Sequence, residues 1–442
     1  MIDRFLRRLF LFYLLVWPTA FGLTFVAIPV INNLHYFGLR YAMVAIPCVI
    51  LMMGAFASPK SDHVLALDRW QWIAGSVFLV TFAWSTIFAV MPSYALLRFG
   101  MVGYLLLGGV SAMIWFKAAG PDYVVLNVYA LIGSILLFAG FIVFFVPEFA
   151  IRNGIPIVTS FPPFFNIRRL TNYAGPIIVG ALMVFSLLPH NSRSKQAILV
   201  LVLVGLWTLL FWAGSRAPVL ALILALAGIT ILTPAGLRVR IWIATGMTAC
   251  LGLVASLSLP RPDRHLGFVS RILETETYAS AKAITSERTS QWAEAVSVIL
   301  DRPLLGHGFG QYIFDPVAIR LGVASTHNFA LEAVHDFGVI GGVALIVLVY
   351  GSVIQLALRA RSGPRVAHIP LAMLVMMAVQ SWFDAILYWY DTIFLFLLCI
   401  AMTVALLKNS RSRGPLRTIP SAPSEPEGPH PAGDGVGLGR SG

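Results

Sequence analysis

Long apolar runs dominate the chain, and they are far longer than the period-two alternation of a half-buried strand allows. A bilayer crossing needs about 20 mostly apolar residues in a helix. By that ruler twelve segments qualify: 9–31, 39–57, 70–90, 94–116, 122–146, 173–189, 195–213, 217–233, 239–259, 329–357, 369–388 and 390–408. Among them are two pairs of short, closely spaced segments, 195–213 with 217–233 and 369–388 with 390–408. Two long polar stretches interrupt the pattern, 147–172 and 260–328. The pattern predicts an all-α polytopic membrane protein of about 12 transmembrane helices, with a large helical loop between the ninth and tenth. The expected division is spans one to nine in 1–259, a loop or lid in 260–328, spans ten to twelve in 329–408, and a disordered tail in 409–442. From about Pro415 that tail is rich in Pro, Gly and Ser and has too few apolar residues to pack. No internal repeat is evident.

Composition agrees with this pattern. Of 442 residues, 58% are hydrophobic and 11% charged, which excludes a soluble globular protein of this size. A formal net charge of +12 would suit nucleic acid in a soluble chain, but here the placement of the charge gives it another meaning. Arg4, Arg7 and Arg8 precede the first span, and alternate connections carry Lys60 and Arg69, Lys117, Arg193 and Lys195, Arg238 and Arg240, then Arg359, Arg361 and Arg365. Basic residues gather on the cytoplasmic side of membrane proteins, so both termini are expected inside and the two long polar stretches outside. The N-terminal apolar run lacks a small-residue cleavage site and reads as a retained span rather than a signal peptide. Cys48, Cys250 and Cys399 each lie inside an apolar run, which predicts neither a disulfide framework nor a metal cluster.

The chemistry concentrates between Ser286 and Gly342. Ser286 is placed to cap a helix with Glu287 in its first turn, and Arg288 and Trp292 then share a helical face. Pro303 and the Gly306-His307-Gly308 run stop that helix. Ser325 or Thr326 is expected to start the next one, with His327 and Asn328 in its first turn, where the helix dipole disfavours an imidazolium. Asn328, Glu332 and His335 fall on one face. The glycines at 306, 308 and 310 follow no strand, so neither a dinucleotide fingerprint nor a phosphate loop is indicated.

External arginines run against the charge-sorting rule and need a reason to be there. Arg168 and Arg169 close the first polar stretch, Arg216 sits in the short connection GSRAP, and Arg288 opens the motif region. A guanidinium fork suits phosphate oxygens, so their convergence would hold a lipid phosphate or diphosphate. The alternative for each is a snorkelling or headgroup-contacting side chain. Trp292 reads alone as a packing or interface aromatic, His307 as loop structure, and His335 with Asp336 as a helix-end polar pair. Asp384 and Asp391, beside Trp382, Tyr388, Trp389 and Tyr390, read as an interfacial belt, with Asp384 the one that has an alternative place in a cavity.

Taken together, Arg288 with Trp292, then Pro303-Leu304-Leu305-Gly306-His307-Gly308-Phe309-Gly310, then His327-Asn328 with Glu332 and Gly338-Val339-Ile340-Gly341 resemble the signature of the O-antigen ligase and O-antigen polymerase superfamily. The GSRAP stretch with Arg216 is similar to that family's SRG/SRA element; His307 departs from it, standing where the family often has a small or apolar residue. The resemblance implies a C-type membrane glycosyltransferase of a Gram-negative inner membrane, with its active site on the periplasmic face. Its donor would be a glycan on undecaprenyl diphosphate. The acceptor would be the lipid A-core in a ligase, or another lipid-linked repeat unit in a polymerase; a large loop between spans nine and ten favours the ligase. His327, Arg288 and Arg216 are then the expected catalytic residues, and Arg168, Arg169, Trp292, Asn328 and Glu332 are expected at the substrate. No cofactor, no metal and no nucleic acid is expected, only lipid-linked substrates and membrane lipids. Two arginines would stabilise the departing diphosphate, a neutral His327 would take the acceptor proton, and Glu332 would orient that histidine or replace it as base. One in-line displacement would invert the anomeric centre. A transporter with the same hydropathy is the rival class, and it would show a repeat or charges at the midplane.

Overall fold

A computed structural model describes residues 2–27, 33–58, 67–153, 167–187, 193–233, 235–261, 267–277, 288–321 and 325–412. Among these residues there is no strand. The helices are α1 (Ile2–Ala27), α2 (Asn33–Phe56), α3 (Arg69–Ile87), α4 (Pro92–Ala119), α5 (Pro121–Asn153), α6 (Ile167–Leu187), α7 (Arg193–Trp212), α8 (Arg216–Leu232) and α9 (Ala235–Leu257). They continue with α10 (Phe268–Thr277), α11 (Arg288–Asp301), α12 (Pro316–Leu321), α13 (Phe329–Ala360), α14 (His368–Gln380) and α15 (Tyr390–Ser412). Three short 3-10 turns join the later helices, at Gln311–Phe314, Arg365–Ala367 and Ile386–Tyr388.

A helix stands at each of the twelve expected positions. By length and composition, seven are long and apolar enough to cross a membrane: α4, α7, α9, α13 and the described apolar parts of α5, α6 and α15. Three shorter apolar helical stretches accompany them, Val44–Phe56, Arg216–Leu232 and Arg365–Gln380. The expected loop between α9 and α13 contains α10, α11, a 3-10 turn and α12.

The centre of the bundle is α14. It packs on α6, α8 and α15, and all but two of its residues, Val375 and Val379, are buried. Gly175 and Gly180 of α6 form notches that Met376 and Met373 of α14 fill, a small-residue contact typical of membrane helix pairs. The pairing order, 175 with 376 and 180 with 373, shows that α6 and α14 run antiparallel. The N-terminal end of α6 and the C-terminal end of α14 therefore share one end of the bundle. A five-residue connection joins α6 to α7, which packs alongside it and returns the chain to that same end at Trp212. Arg216, the first residue of α8, starts there too.

Two expected spans need correction. The segment 369–388 is not one helix: α14 ends at Gln380, and 381–389 is a chain of turns. Ser381, Trp382, Phe383 and Asp384 are placed there by hydrogen bonds to other elements, and that pull outweighs helix continuation. The segment 329–357 is helical at both ends but broken at Gly338, whose φ of 67° and ψ of 178° no helix accommodates.

The break at Gly338 is filled by the loop at 303–308. In an unbroken helix the carbonyls of His335 and Asp336 would accept from the amides four residues on. Here the His307 amide donates to the His335 carbonyl and the Gly308 amide to the Asp336 carbonyl, each at 2.9 Å. The Val339 amide, freed in turn, donates to the Pro303 carbonyl at 2.7 Å. Backbone meets backbone so closely that a Cβ on Gly306 would strike the Asp336 carbonyl and one on Gly338 the Leu304 carbonyl. Both glycines also have positive φ. The glycines of Pro303–Gly310 thus let a loop replace a missing turn of helix.

Candidate functional site

His327 is the only non-glycine residue with positive φ among the described residues, at 53°. Such a backbone costs about 1–3 kcal/mol and persists only where its surroundings impose it. Those surroundings can be named. The Trp292 Nε1–H of α11 donates to the Thr326 carbonyl at 2.9 Å. The Phe329 amide donates to the Ser381 carbonyl at 2.9 Å, and Asn328 Nδ2 to the Trp382 carbonyl at 3.0 Å. Asn328 Oδ1 accepts from the Leu331 amide at 3.0 Å, which makes Asn328 the N-cap of α13. This corrects the expected helix start: the cap is Asn328, not Ser325 or Thr326, and His327 precedes the helix.

The left-handed turn aims the imidazole at the segment that follows α14. His327 Nδ1 lies 3.0 Å from Asp384 Oδ1. A carboxylate only accepts, so Nδ1 carries the proton and Nε2 is left as the acceptor. The His327 side chain is 38% exposed and Asp384 20%, so the pair sits at an accessible surface. Behind it runs a chain of amides: Gln380 Nε2 donates to Asn172 Oδ1 at 2.7 Å, and Asn172 Nδ2 donates to Asp384 Oδ2 at 3.4 Å. Arg288, at the start of α11, donates to the Phe383 carbonyl, next to Asp384. Histidine, carboxylate and guanidinium thus converge on residues 382–384.

The other expected site residues divide. Arg216 stands at the same end of the bundle as Asn172, Gln380 and Asp384, by the helix directions above. Arg168 and Arg169 begin α6 at that end as well, but their side chains lie outside the described residues. Ser286, the expected cap of α11, and Glu287, expected in its first turn, also lie outside the described residues. Trp292 and Asn328 hold the His327 turn. Glu332 is 1% exposed, and its carboxylate faces Thr326 rather than His327. Asp384, read from the sequence as part of an interfacial belt with a cavity as its alternative place, is the residue that meets the His327 ring.

A second polar cluster lies beneath. Arg98 of α4, 6% exposed, donates to the Tyr388 carbonyl at 3.0 Å and is stacked about by Tyr94, Phe309, Tyr388 and Tyr390. Asp336 Oδ2 accepts from the Gly310 amide at 2.6 Å, and its Oδ1 lies 2.8 Å from His335 Nδ1. His307 stacks on His335 with ring centroids 4.6 Å apart, and its Nε2 lies 2.9 Å from the Val298 carbonyl. Burial, then the neighbouring His335, holds the His307 pKa below its ordinary value. Burial pushes the Tyr312 hydroxyl up to about 12, so it stays protonated. His335 and Asp336 are the polar pair expected near a helix end, and the break at Gly338 supplies that end.

An apolar helical bundle with several helices long and apolar enough to cross a membrane, and a polar cluster at one end, is the architecture of a polytopic membrane protein. Residues 179–346 match the family model described as O-Antigen ligase. That stretch is 168 of the 442 residues, and over it the chain is similar to the O-antigen ligase family. It matches none of the curated proteins. The family match contains Arg216, Arg288, Trp292, His327 and Glu332, and stops short of Asp384.

Proposed function

We propose that the protein is an O-antigen ligase that transfers a glycan from undecaprenyl diphosphate to the lipid A-core at the periplasmic face of the inner membrane. The observation that carries the reading is the 3.0 Å pair of His327 Nδ1 and Asp384 Oδ1 beside Arg288. Asp384 holds the proton on Nδ1, so Nε2 accepts the proton of the acceptor hydroxyl as its oxygen attacks the anomeric carbon. The glycosidic bond to the diphosphate breaks on the opposite side, which inverts that carbon. The diphosphate leaves with growing negative charge, which Arg288 and Arg216 neutralise by charge-assisted hydrogen bonds. Arg168 and Arg169, at the same end of the bundle, bind the same group. With guanidinium groups stabilising the leaving group, transfer needs no metal ion and persists in EDTA. The positive-inside pattern puts both termini in the cytoplasm and this end of the bundle outside.

The second reading is a polymerase that joins lipid-linked repeat units. The helical segment between α9 and α13 favours the ligase. A deletion strain examined by lipopolysaccharide gel separates the two. Loss of the ladder with lipid-linked polymer retained indicates a ligase. A band of core plus one repeat unit indicates a polymerase, and an unchanged ladder sinks both.

A further inference from the structure

We propose that Glu332 is a positioning residue for this reaction: its enclosed carboxylate fixes Thr326, and through Thr326 the left-handed backbone that points His327 at Asp384. The inference rests on the reading of His327 and Asp384 given above.

Glu332 Oε2 accepts the Thr326 amide at 2.7 Å and lies 2.8 Å from Thr326 Oγ1. Thr326 Oγ1 also lies 2.9 Å from the Asn328 carbonyl, so its one proton serves one of the two at a time, while the amide bond is constant. One oxygen on the first turn of α13 thereby reaches back over the N-cap and holds the residue before His327. The Thr326 carbonyl is held independently by Trp292. Thr326 and Asn328 are both fixed, and His327 between them takes the strained φ of 53°. With Thr326 released, the backbone strain favours relaxation of His327 to an ordinary conformation, which turns its ring away from Asp384. Arg98, Asp336 and His335 lie within electrostatic reach of Glu332 and face it from α4 and α13.

Positioning and proton transfer make opposite demands on this side chain. A glutamine keeps the accepting oxygen at the same reach and has no charge to exchange. An aspartate keeps the charge but is one methylene short of Thr326. Purified full-length parent, H327A, E332A, E332Q and E332D are compared in vesicles with undecaprenyl-diphosphate-linked glycan as donor and lipid A-core as acceptor. E332A is expected to lose about 10- to 100-fold in kcat, the scale of a misplaced reacting group, with KM within about threefold. E332Q recovers most of that loss with the parent's pH profile, and E332D recovers less than E332Q. The reverse order, with a limb of the pH profile lost in E332Q, overturns the proposal, and so does E332A at the parent rate. The Gln and Asp variants preserve the comparison if E332A does not fold. H327A at the parent rate would instead overturn the underlying reading of the site.

Discussion

His327 and Asp384 are 57 residues apart in the chain and 3.0 Å apart in space, joined through one imidazole nitrogen. The contact links the turn that starts α13 to the turn that ends α14. It requires both the left-handed backbone at His327 and the early stop of α14 at Gln380. Neither helix alone would present the pair.

The first prediction concerns that pair. His327→Ala is expected to reduce kcat by about 100- to 10,000-fold, the usual range for losing a general base. Asp384→Asn keeps the shape but releases the tautomer, and a loss on the order of 100-fold is expected. Transfer rates with purified components check both, and an Asp384→Asn enzyme at full rate would separate Asp384 from the chemistry.

Arg288 is held against the Phe383 carbonyl at the mouth of the site. Arg288→Ala is expected to cost about 100- to 1,000-fold in kcat, as loss of a preorganised charge stabiliser does. Arg288→Lys should restore only a small part, because an ammonium cannot reproduce the planar fork. The same assay in excess EDTA is expected to leave the parent rate unchanged.

Gly338→Ala and Gly306→Ala put a Cβ into backbone that faces it at close range, at residues with positive φ. Each is expected to lower the midpoint of thermal unfolding in detergent or abolish recovery of folded protein. Gly246→Ala in α9 is the control, since a Cβ there meets nothing within 4 Å. It is expected to be neutral or mildly stabilising.

Arg98 is buried among four aromatic rings and within electrostatic reach of Asp336. Removing the cation takes away its hydrogen bond to the Tyr388 carbonyl, its contacts with the four rings and a charge within reach of Asp336. Arg98→Met is expected to destabilise strongly, and Arg98→Met with Asp336→Asn to recover part of the loss. A double-mutant cycle on unfolding midpoints measures it, and strict additivity would show that the two do not couple.

His307 gives a pH prediction of definite sign. An unfolded histidine protonates near 6.5, whereas folded His307 does so only at lower pH because of its burial. Below about 6.5 the unfolded chain therefore binds more protons than the folded one, and the folded state loses stability as pH falls toward the folded value. Above 6.5 this residue contributes no pH dependence. His307→Gln is expected to flatten the acid side of a stability–pH curve.

Much of the bundle is readable from apolar run length, because the lipid requires about the same thing of every crossing. Arg288, His327 and Asn328 are readable as well, since they stand out as polar residues at a helix start. Asp384 is not. A hydropathy window averages it into the apolar residues of 369–388, and its partner is contributed by a distant turn. The polar run Gln380-Ser381 just before it is the one local sign that a helix stops there. Glu332 is visible at i+5 from His327, but its role runs through Thr326, a connection that helical spacing does not display. The break in α13 is announced by Gly338, yet only the loop that fills it shows why a break is tolerated.

That substitution of loop for helix has a consequence for biogenesis. The carbonyls of His335 and Asp336 are satisfied only once Pro303–Gly308 has docked against them. In hydrocarbon an unmet carbonyl costs several kcal/mol. Phe329–Ala360 and the stretch that precedes it are therefore expected to reach their folded backbone together, as one co-folding unit.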